Sequence, residues 1–232
     1  MDQNEESILA AVEETLGYRF RDRALLLEAL THRSWVNEAG RGRDNQRLEF
    51  FGDAVLDFLL SALLLARFPG SREGELTRVR AALVDETSLA AISTKLGLGL
   101  ALRLGRGEEK GGGREKRSLL ADAYEALLAA LYLDGGLEPT TRVVEAHFLP
   151  VLDSGAQLGR DYKTDLQERA HLQLGVLPRY LLKEVTGPDH DRRFTVEIYL
   201  GEELMGQGTG RSKKEAEQAA AQVAGALLKT KA

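Results

Sequence analysis

Cysteine is absent from all 232 residues, so disulfides, zinc–thiolate sites and iron–sulfur clusters are excluded. That absence fits a reducing compartment. No apolar run is long enough to span a bilayer, and the longest, residues 54–68, carries Asp57 and Arg67. The opening stretch Met1-Asp-Gln-Asn-Glu-Glu6 is acidic and polar, the opposite of a cationic, apolar leader, so none is expected. The expectation is a cytoplasmic protein with no membrane partner. Prolines number only five, and Pro69 and Pro150 fall at the ends of helix-like stretches. Net positive charge is also missing: the formal charge is −5, which ordinarily argues against a nucleic-acid partner. The charge is unevenly spread, however. From Gly159 onwards 12 Lys and Arg stand against 11 Asp and Glu, leaving 19 against 25 in the rest. The acidity belongs to the first part, so net charge is a poor guide to partners.

What is present, 43% hydrophobic and 29% charged residues, is the composition of a globular chain with room for two modest domains. Helical spacing predicts helices over 5–17 and 22–30, followed by Thr31-His-Arg-Ser34 and a flexible basic loop over 39–44. Further helices are expected from Asn45 to about Phe68, stopped by Pro69-Gly70, and over 73–84, 88–96, 118–133 and 138–149. The glycine-rich 102–116 segment reads as a loop. It lacks a preceding strand and a Gly-Lys-Ser/Thr ending, so no P-loop and no nucleotide cofactor are expected. Residues 1–150 thus read as an all-helical domain and 151–160 as a linker. Residues 161–230 read as a small α+β domain in the order α-β-β-β-α. In that last part a helix over 163–174 precedes alternating strands over 178–185, 194–200 and 203–208, and Ser212 caps a closing alanine-rich helix. The expected architecture is a three-stranded antiparallel sheet with both helices on one face.

The chemistry is carried by two of the helices. Asn45-Gln-Arg-Leu-Glu-Phe-Phe-Gly-Asp-Ala-Val-Leu-Asp57 puts Glu49 and Asp53 one turn apart on one face, with Leu48, Phe51, Val55 and Leu59 on a face that must be buried. Like charges held that close repel, and a divalent cation would relieve them. Residues 118–133 repeat the feature with Asp122 and Glu125, opposite Tyr124, Leu127, Leu128 and Leu131. Ala123, Ala126, Ala129 and Ala130 are small enough to let another helix come close. A single acidic pair is more often a solvated face. Two pairs on the two best helices weigh against that. If the helices pack side by side, four carboxylates meet, and oxygen-only ligands suit Mg²⁺ or Mn²⁺. Such a site can activate water and stabilise charge on a phosphoryl group under attack.

Residues 45–56 resemble the signature of the ribonuclease III family of double-stranded-RNA endonucleases. Leu30-Thr-His-Arg-Ser34, Phe68-Pro69 with Glu73-Gly74, and Leu120-Ala-Asp-Ala-Tyr-Glu-Ala-Leu127 with Asp134-Gly-Gly136 match in family order. Lys163-Thr-Asp-Leu-Gln-Glu168, Gly187-Pro-Asp-His190 and Ser212-Lys-Lys-Glu-Ala-Glu217 resemble the family's double-stranded-RNA-binding domain. The resemblance implies that Glu49, Asp53, Asp122 and Glu125 bind the catalytic metal, with Asp53 and Glu125 central to catalysis. It further implies that Glu73 stands at the cleft edge and that Phe50 inserts into the partner of a homodimer. Each subunit would cut one strand, leaving 5′-phosphates and two-nucleotide 3′ overhangs on ribosomal RNA precursors and other structured transcripts. Gln46 departs from the pattern, since many members carry glutamate there. An amide cannot supply the charge, so Gln46 is expected at the cleft edge, touching RNA or organising water.

A-form RNA is met through its wide minor groove, 2′-hydroxyls and phosphates. Thr164, Gln167, Glu168 and His171 fall on one polar helix face suited to those hydroxyls, and the Gly187–His190 turn can enter a second minor groove. Arg211, Lys213 and Lys214 begin the last helix, where Ser212 is the cap. Basic residues there oppose the usual preference for acids, and a phosphate partner explains them. His32 is expected to be a structural hydrogen-bonding residue, and Trp35 to lie in the core or a dimer interface. Two rivals remain open: a scaffold that binds duplex RNA without cutting it, and a metal phosphohydrolase acting on small substrates.

Overall fold

Leucine and alanine recur at helical spacing through the first two thirds of the chain, and that part folds into helices. The computed structural model describes residues 3–154, 162–188 and 191–230. It divides into two compact units at residues 159 and 160. The first contains α1 (Gln3–Leu16), α2 (Arg23–Ala29), α3 (Arg33–Ala39), α4 (Gln46–Arg67), α5 (Glu73–Leu83) and α6 (Glu86–Lys95). It continues with α7 (Leu98–Ala101), α8 (Arg106–Lys110), α9 (Arg117–Gly135) and α10 (Leu137–Asp153).

The hub is α9, which packs against α2, α4, α6 and α10 and buries Tyr124, Leu127, Leu128, Leu131 and its alanines. A helix apolar on nearly every side has to sit in the middle of the unit. Inside it, the Tyr124 hydroxyl pairs with Nδ1 of His147 on α10 at 2.9 Å. At its C-terminal end the Asp134 carboxylate accepts the Tyr18 hydroxyl at 2.6 Å and the backbone N–H groups of Arg21 and Asp22 at 2.9 and 2.8 Å. Gly136 follows at φ 81°, which lets the chain reverse into α10.

Four expectations need correction. Residues 33–39 form a helix, α3, because His32 caps its start and Gly40, at φ 65°, ends it. The 102–116 loop contains α8 and a 3₁₀ turn over Gly113–Glu115. Arg114 clamps this turn, with one guanidinium nitrogen donating to the carbonyls of Gly99, Leu100 and Leu102 at 2.9–3.0 Å. The expected linker does not begin at 151, since α10 runs through Pro150 to Asp153. A proline in the final turn removes one intrahelical bond, and the Ser154 N–H closes the end on the Pro150 carbonyl at 3.1 Å. Trp35 is not in the core of its own chain but half-buried, covered by the Arg103 guanidinium 3.7 Å from its ring, so of its two expected places only the dimer interface is left.

The second unit contains α11 (Tyr162–Leu174), β1 (Pro178–Thr186), β2 (Arg193–Leu200), β3 (Glu203–Gly210) and α12 (Lys213–Thr230). The sheet is antiparallel in the order β1-β2-β3, with Tyr180 opposite Ile198 and Val196 opposite Gly208. Val196, Ile198 and Met205 bury against Leu166, Ala170 and the alanine stripe of α12. A Cβ on Gly208 would fall 2.1 Å from the Ala220 nitrogen, so glycine and alanine together allow α12 to lie directly on the sheet. Lys163 ties α11 to α12 through Glu217 at 2.6 Å. Among the described residues, no helix is long and apolar enough to cross a membrane.

Candidate active site

The site is made by how closely α4 and α9 approach. A Cβ on Gly52 would lie 1.8 Å from the Glu125 carbonyl oxygen, so backbone touches backbone there. Gly52 lies beside Asp53 and one turn from Glu49, and the residue it touches is itself acidic. The seam therefore brings the carboxylates of both helices face to face. Sequence reasoning passed over Gly52. Its signal was an isolated glycine inside an otherwise strong helix, which marks close packing.

Glu49, Asp122 and Glu125 are partly buried, and Asp53 is exposed. Burial, followed by the negative charges of Asp53, Asp122, Glu49 and Asp57, pushes the Glu125 carboxyl up to about 8. The Glu49 carboxyl is raised by burial and then by Asp122, Asp44 and Asp53. Asp122 is raised by burial and by Glu86, against the opposing pull of His32 and Lys116. Glu125 thus feels the other three expected carboxylates, and Glu49 feels Asp122 and Asp53. Among the described residues, no three His, Cys, Asp or Glu side chains are grouped tightly enough to hold an ion. The donor set nonetheless fits a hard divalent cation: all-oxygen, anionic and electrostatically strained in the cation's absence.

A cavity of about 460 Å³ opens beside this seam, lined by His32, Asn45, Gln46, Glu49, Lys116 and Asp122 among others. Gln46 is therefore next to two of the carboxylates, at the start of α4. His32 has the structural role expected of it. Its Nδ1 lies 2.8 Å from the Ser34 hydroxyl and accepts the Ser34 N–H at 3.3 Å, and that hydroxyl in turn accepts the Gly105 N–H at 2.9 Å. Glu73 is not brought to the four carboxylates. It opens α5 and accepts the Thr77 hydroxyl at 2.9 Å, in a separate cavity beside Ser61, Leu65 and Arg80. Ser61 follows Glu49 by three turns of α4, roughly 18 Å at 1.5 Å per residue, which is why Glu73 stands apart. Phe50 is 81% exposed on α4, in line with exposed Phe58 and Leu65.

In the second unit, Thr164, Gln167, Glu168 and His171 are exposed along α11, away from buried Leu166 and Ala170. Ser212 accepts the Glu215 N–H at 3.2 Å, and the Glu215 carboxylate accepts the Arg211 N–H at 2.8 Å. This reciprocal cap leaves Lys213 and Lys214 exposed at the start of α12. Gly187 follows β1 at φ 86°, and His190 lies outside the described residues.

A family profile described as Ribonuclease-III-like matches residues 22–152. The chain belongs to the ribonuclease III family. A second profile, the double-stranded RNA binding motif, matches residues 162–228. Ribonuclease 3 of Geobacter sulfurreducens is 59% identical over 90% of this chain and 86% of its own. That of Myxococcus xanthus is 48% identical, covering 91% and 83%. The solved nuclease domain of Campylobacter jejuni ribonuclease III is 41% identical at a TM-score of 0.55, covering 60% of this chain and 95% of that one. A second structure of the Campylobacter domain, with a TM-score of 0.56, is described by structural flexibility in a region involved in dimer formation. The chain is thus an endoribonuclease of the ribonuclease III family with a double-stranded-RNA-binding domain, as its motifs led us to expect.

Proposed function

We propose that this ribonuclease III is a cytoplasmic homodimer that hydrolyses phosphodiester bonds in double-stranded RNA with Mg²⁺, for which Mn²⁺ can substitute. Glu49, Asp53, Asp122 and Glu125 would hold the ion. The observation that carries this reading is at Glu125, whose carboxyl is pushed up to about 8 by burial and then by the negative charges of Asp53, Asp122 and Glu49. A divalent cation bound there would supply positive charge for the phosphoryl oxygens and acidity to a water molecule. The protein's own part is to hold carboxylates on two rigid helices, so that the reacting phosphate is positioned before chemistry begins. Asp53 and Glu125 flank the α4–α9 seam and are the pair on which cleavage depends most. Gln46 and Glu73 would line the edges of the cleft, and no side chain is required as a general base.

Duplex RNA would be gathered by the α+β unit. Thr164, Gln167, Glu168 and His171 suit one minor groove, His190 a second, and Ser212, Lys213 and Lys214 the phosphates between. The outward stripe of Phe50, Phe58 and Leu65 suits a second copy of the chain. In such a dimer each subunit would cut one strand, leaving 5′-phosphates and two-nucleotide 3′ overhangs on ribosomal RNA precursors and other structured transcripts. The deciding experiment incubates the purified protein with a perfect RNA duplex, with Mg²⁺ or with chelator, and follows cleavage and gel shift together. Mg²⁺-dependent cuts are expected. Binding without them would favour a non-cleaving scaffold. Phe50→Asp should shift the mass seen by sedimentation from dimer towards monomer, and an unchanged dimer would remove Phe50 from the interface.

A further inference from the structure

The cavity beside the carboxylates has a cationic wall that none of the roles above uses. Lys116 immediately precedes α9 and lines the same cavity as Glu49 and Asp122. It shares that lining with His32 as well. Nζ pairs with Glu108 of α8 at 3.5 Å, and the lysine side chain stays half exposed. A charge-assisted hydrogen bond is shorter, about 2.7–2.9 Å, so the carboxylate keeps the ammonium near without engaging it fully.

Two features of its position favour an anionic partner from outside. A lysine at the N-cap makes no side-chain cap, and its charge opposes the positive end of the helix dipole. The same end that repels a lysine attracts phosphate. Of the cavity's other charged walls, Glu49, Glu108 and Asp122 are negative and Arg33 is positive, so a polyanion seated there needs Lys116, at the foot of α9, for the oxygens that face away from the carboxylates.

On the reading that the enzyme cleaves duplex RNA at the carboxylates, we propose that Lys116 contacts a backbone phosphate of the RNA seated in this cavity. Glu108 holds the lysine ready and is exchanged for that phosphate when RNA arrives. A carboxylate gives way to a phosphate here because both accept from the same ammonium, and the phosphate adds the pull of the helix end. Glu108 is then a positioning residue for Lys116.

The test compares Lys116→Ala, Lys116→Arg and Glu108→Gln in single-turnover cleavage of an RNA duplex with Mg²⁺. Lys116→Ala should lower the rate at saturating RNA by about ten- to a hundredfold, the range expected for losing one hydrogen bond to a charged group. Lys116→Arg should recover most of it. Glu108→Gln should lower KM, because the lysine is then released to the substrate. Duplex binding is measured separately in a Glu125→Gln background. There Lys116→Ala should reduce the slope of log affinity against log salt by about 0.9, one phosphate contact's worth. The proposal is overturned if Lys116→Ala cleaves at the wild-type rate with an unchanged slope. It is overturned equally if Lys116→Ala and Glu108→Gln lose rate and Tm together, which would mark a clamp between α8 and α9. Failure of the ribonuclease reading looks different: the wild type would leave duplex RNA uncut, and the salt slope would still decide Lys116.

Discussion

Gly52→Ala is the smallest change that should dismantle the site. The added methyl carbon would lie 1.8 Å from the Glu125 oxygen, 2.4 Å from its carbonyl carbon and 3.1 Å from its Cα, all backbone atoms. No rotamer can relieve such a clash. Reaching ordinary contact at 3.4 Å requires α4 and α9 to part by about 1.6 Å. Overpacking a close-packed interior costs about 1–3 kcal/mol, and a backbone clash should fall in the upper half of that range. For a unit of this size, 2–3 kcal/mol corresponds to a fall in Tm of about 5–10 °C. Activity should suffer more, because the helices that must separate carry the carboxylates, and misplacing reacting groups by about 1 Å can cost a hundredfold. Thermal unfolding in chelator and single-turnover duplex cleavage with Mg²⁺ would measure the two effects. Gly225 in α12 is the control: nothing lies within 4 Å of its would-be Cβ, so alanine there should stabilise by about 0.5–1 kcal/mol. A Gly52→Ala protein with wild-type Tm and wild-type cleavage would refute the argument.

Glu125→Gln tests the field at the seam. The wild-type carboxyl keeps its proton up to about pH 8 in the folded protein, against about 4.3 in an unfolded chain. The folded state therefore binds more protons across that window, and metal-free stability falls as pH rises from about 4.3 to 8. In denaturant titrations with chelator, the glutamine variant should exceed wild type at pH 8 and approach it near pH 4; a constant difference would rule out the titration. Asp134 runs the other way. Burial alone would raise its carboxyl, but the hydrogen bonds from Tyr18, Arg21 and Asp22 outweigh it and hold it low. Its contribution should be complete above about pH 3.9 and vanish as pH falls through the depressed folded value. Asp134→Ala should cost about 1–3 kcal/mol at pH 7, and a Tm equal to wild type would contradict this. Changing Lys213 and Lys214 together to alanine should weaken duplex binding and flatten its salt dependence, and an unchanged gel-shift affinity would remove both from the contact set.

Long helices were legible because leucine and alanine recur every three to four residues over many turns, and the strands of the second unit because their apolar residues alternate. The two carboxylate pairs could be read for the same reason, as Glu49 with Asp53 and Asp122 with Glu125 are local neighbours on one helix. The close approach of their two helices is a tertiary fact, and it depends on Gly52, whose missing side chain leaves no apolar pattern. Short α3 and α8 escaped notice because they carry no apolar stripe. A histidine cap forms the first, and the second is folded among glycines beside the Arg114 clamp. Glu73 was legible as a motif residue, but its position along α4 was not, since the Pro69-Gly70 turn sets which part of α4 it faces.

Because the carboxylates lie on helices some seventy residues apart, the chain makes Glu49 and Asp53 well before Asp122 and Glu125. With α4 emerged and α9 still inside the ribosome, Glu49 and Asp53 form one repelling pair with nothing to close it. On the proposed function, cutting power appears only once residues through Gly135 have cleared the exit and α9 has docked on Gly52. On that reading the growing chain gains cutting power only after more than half of it, 135 of 232 residues, has been released.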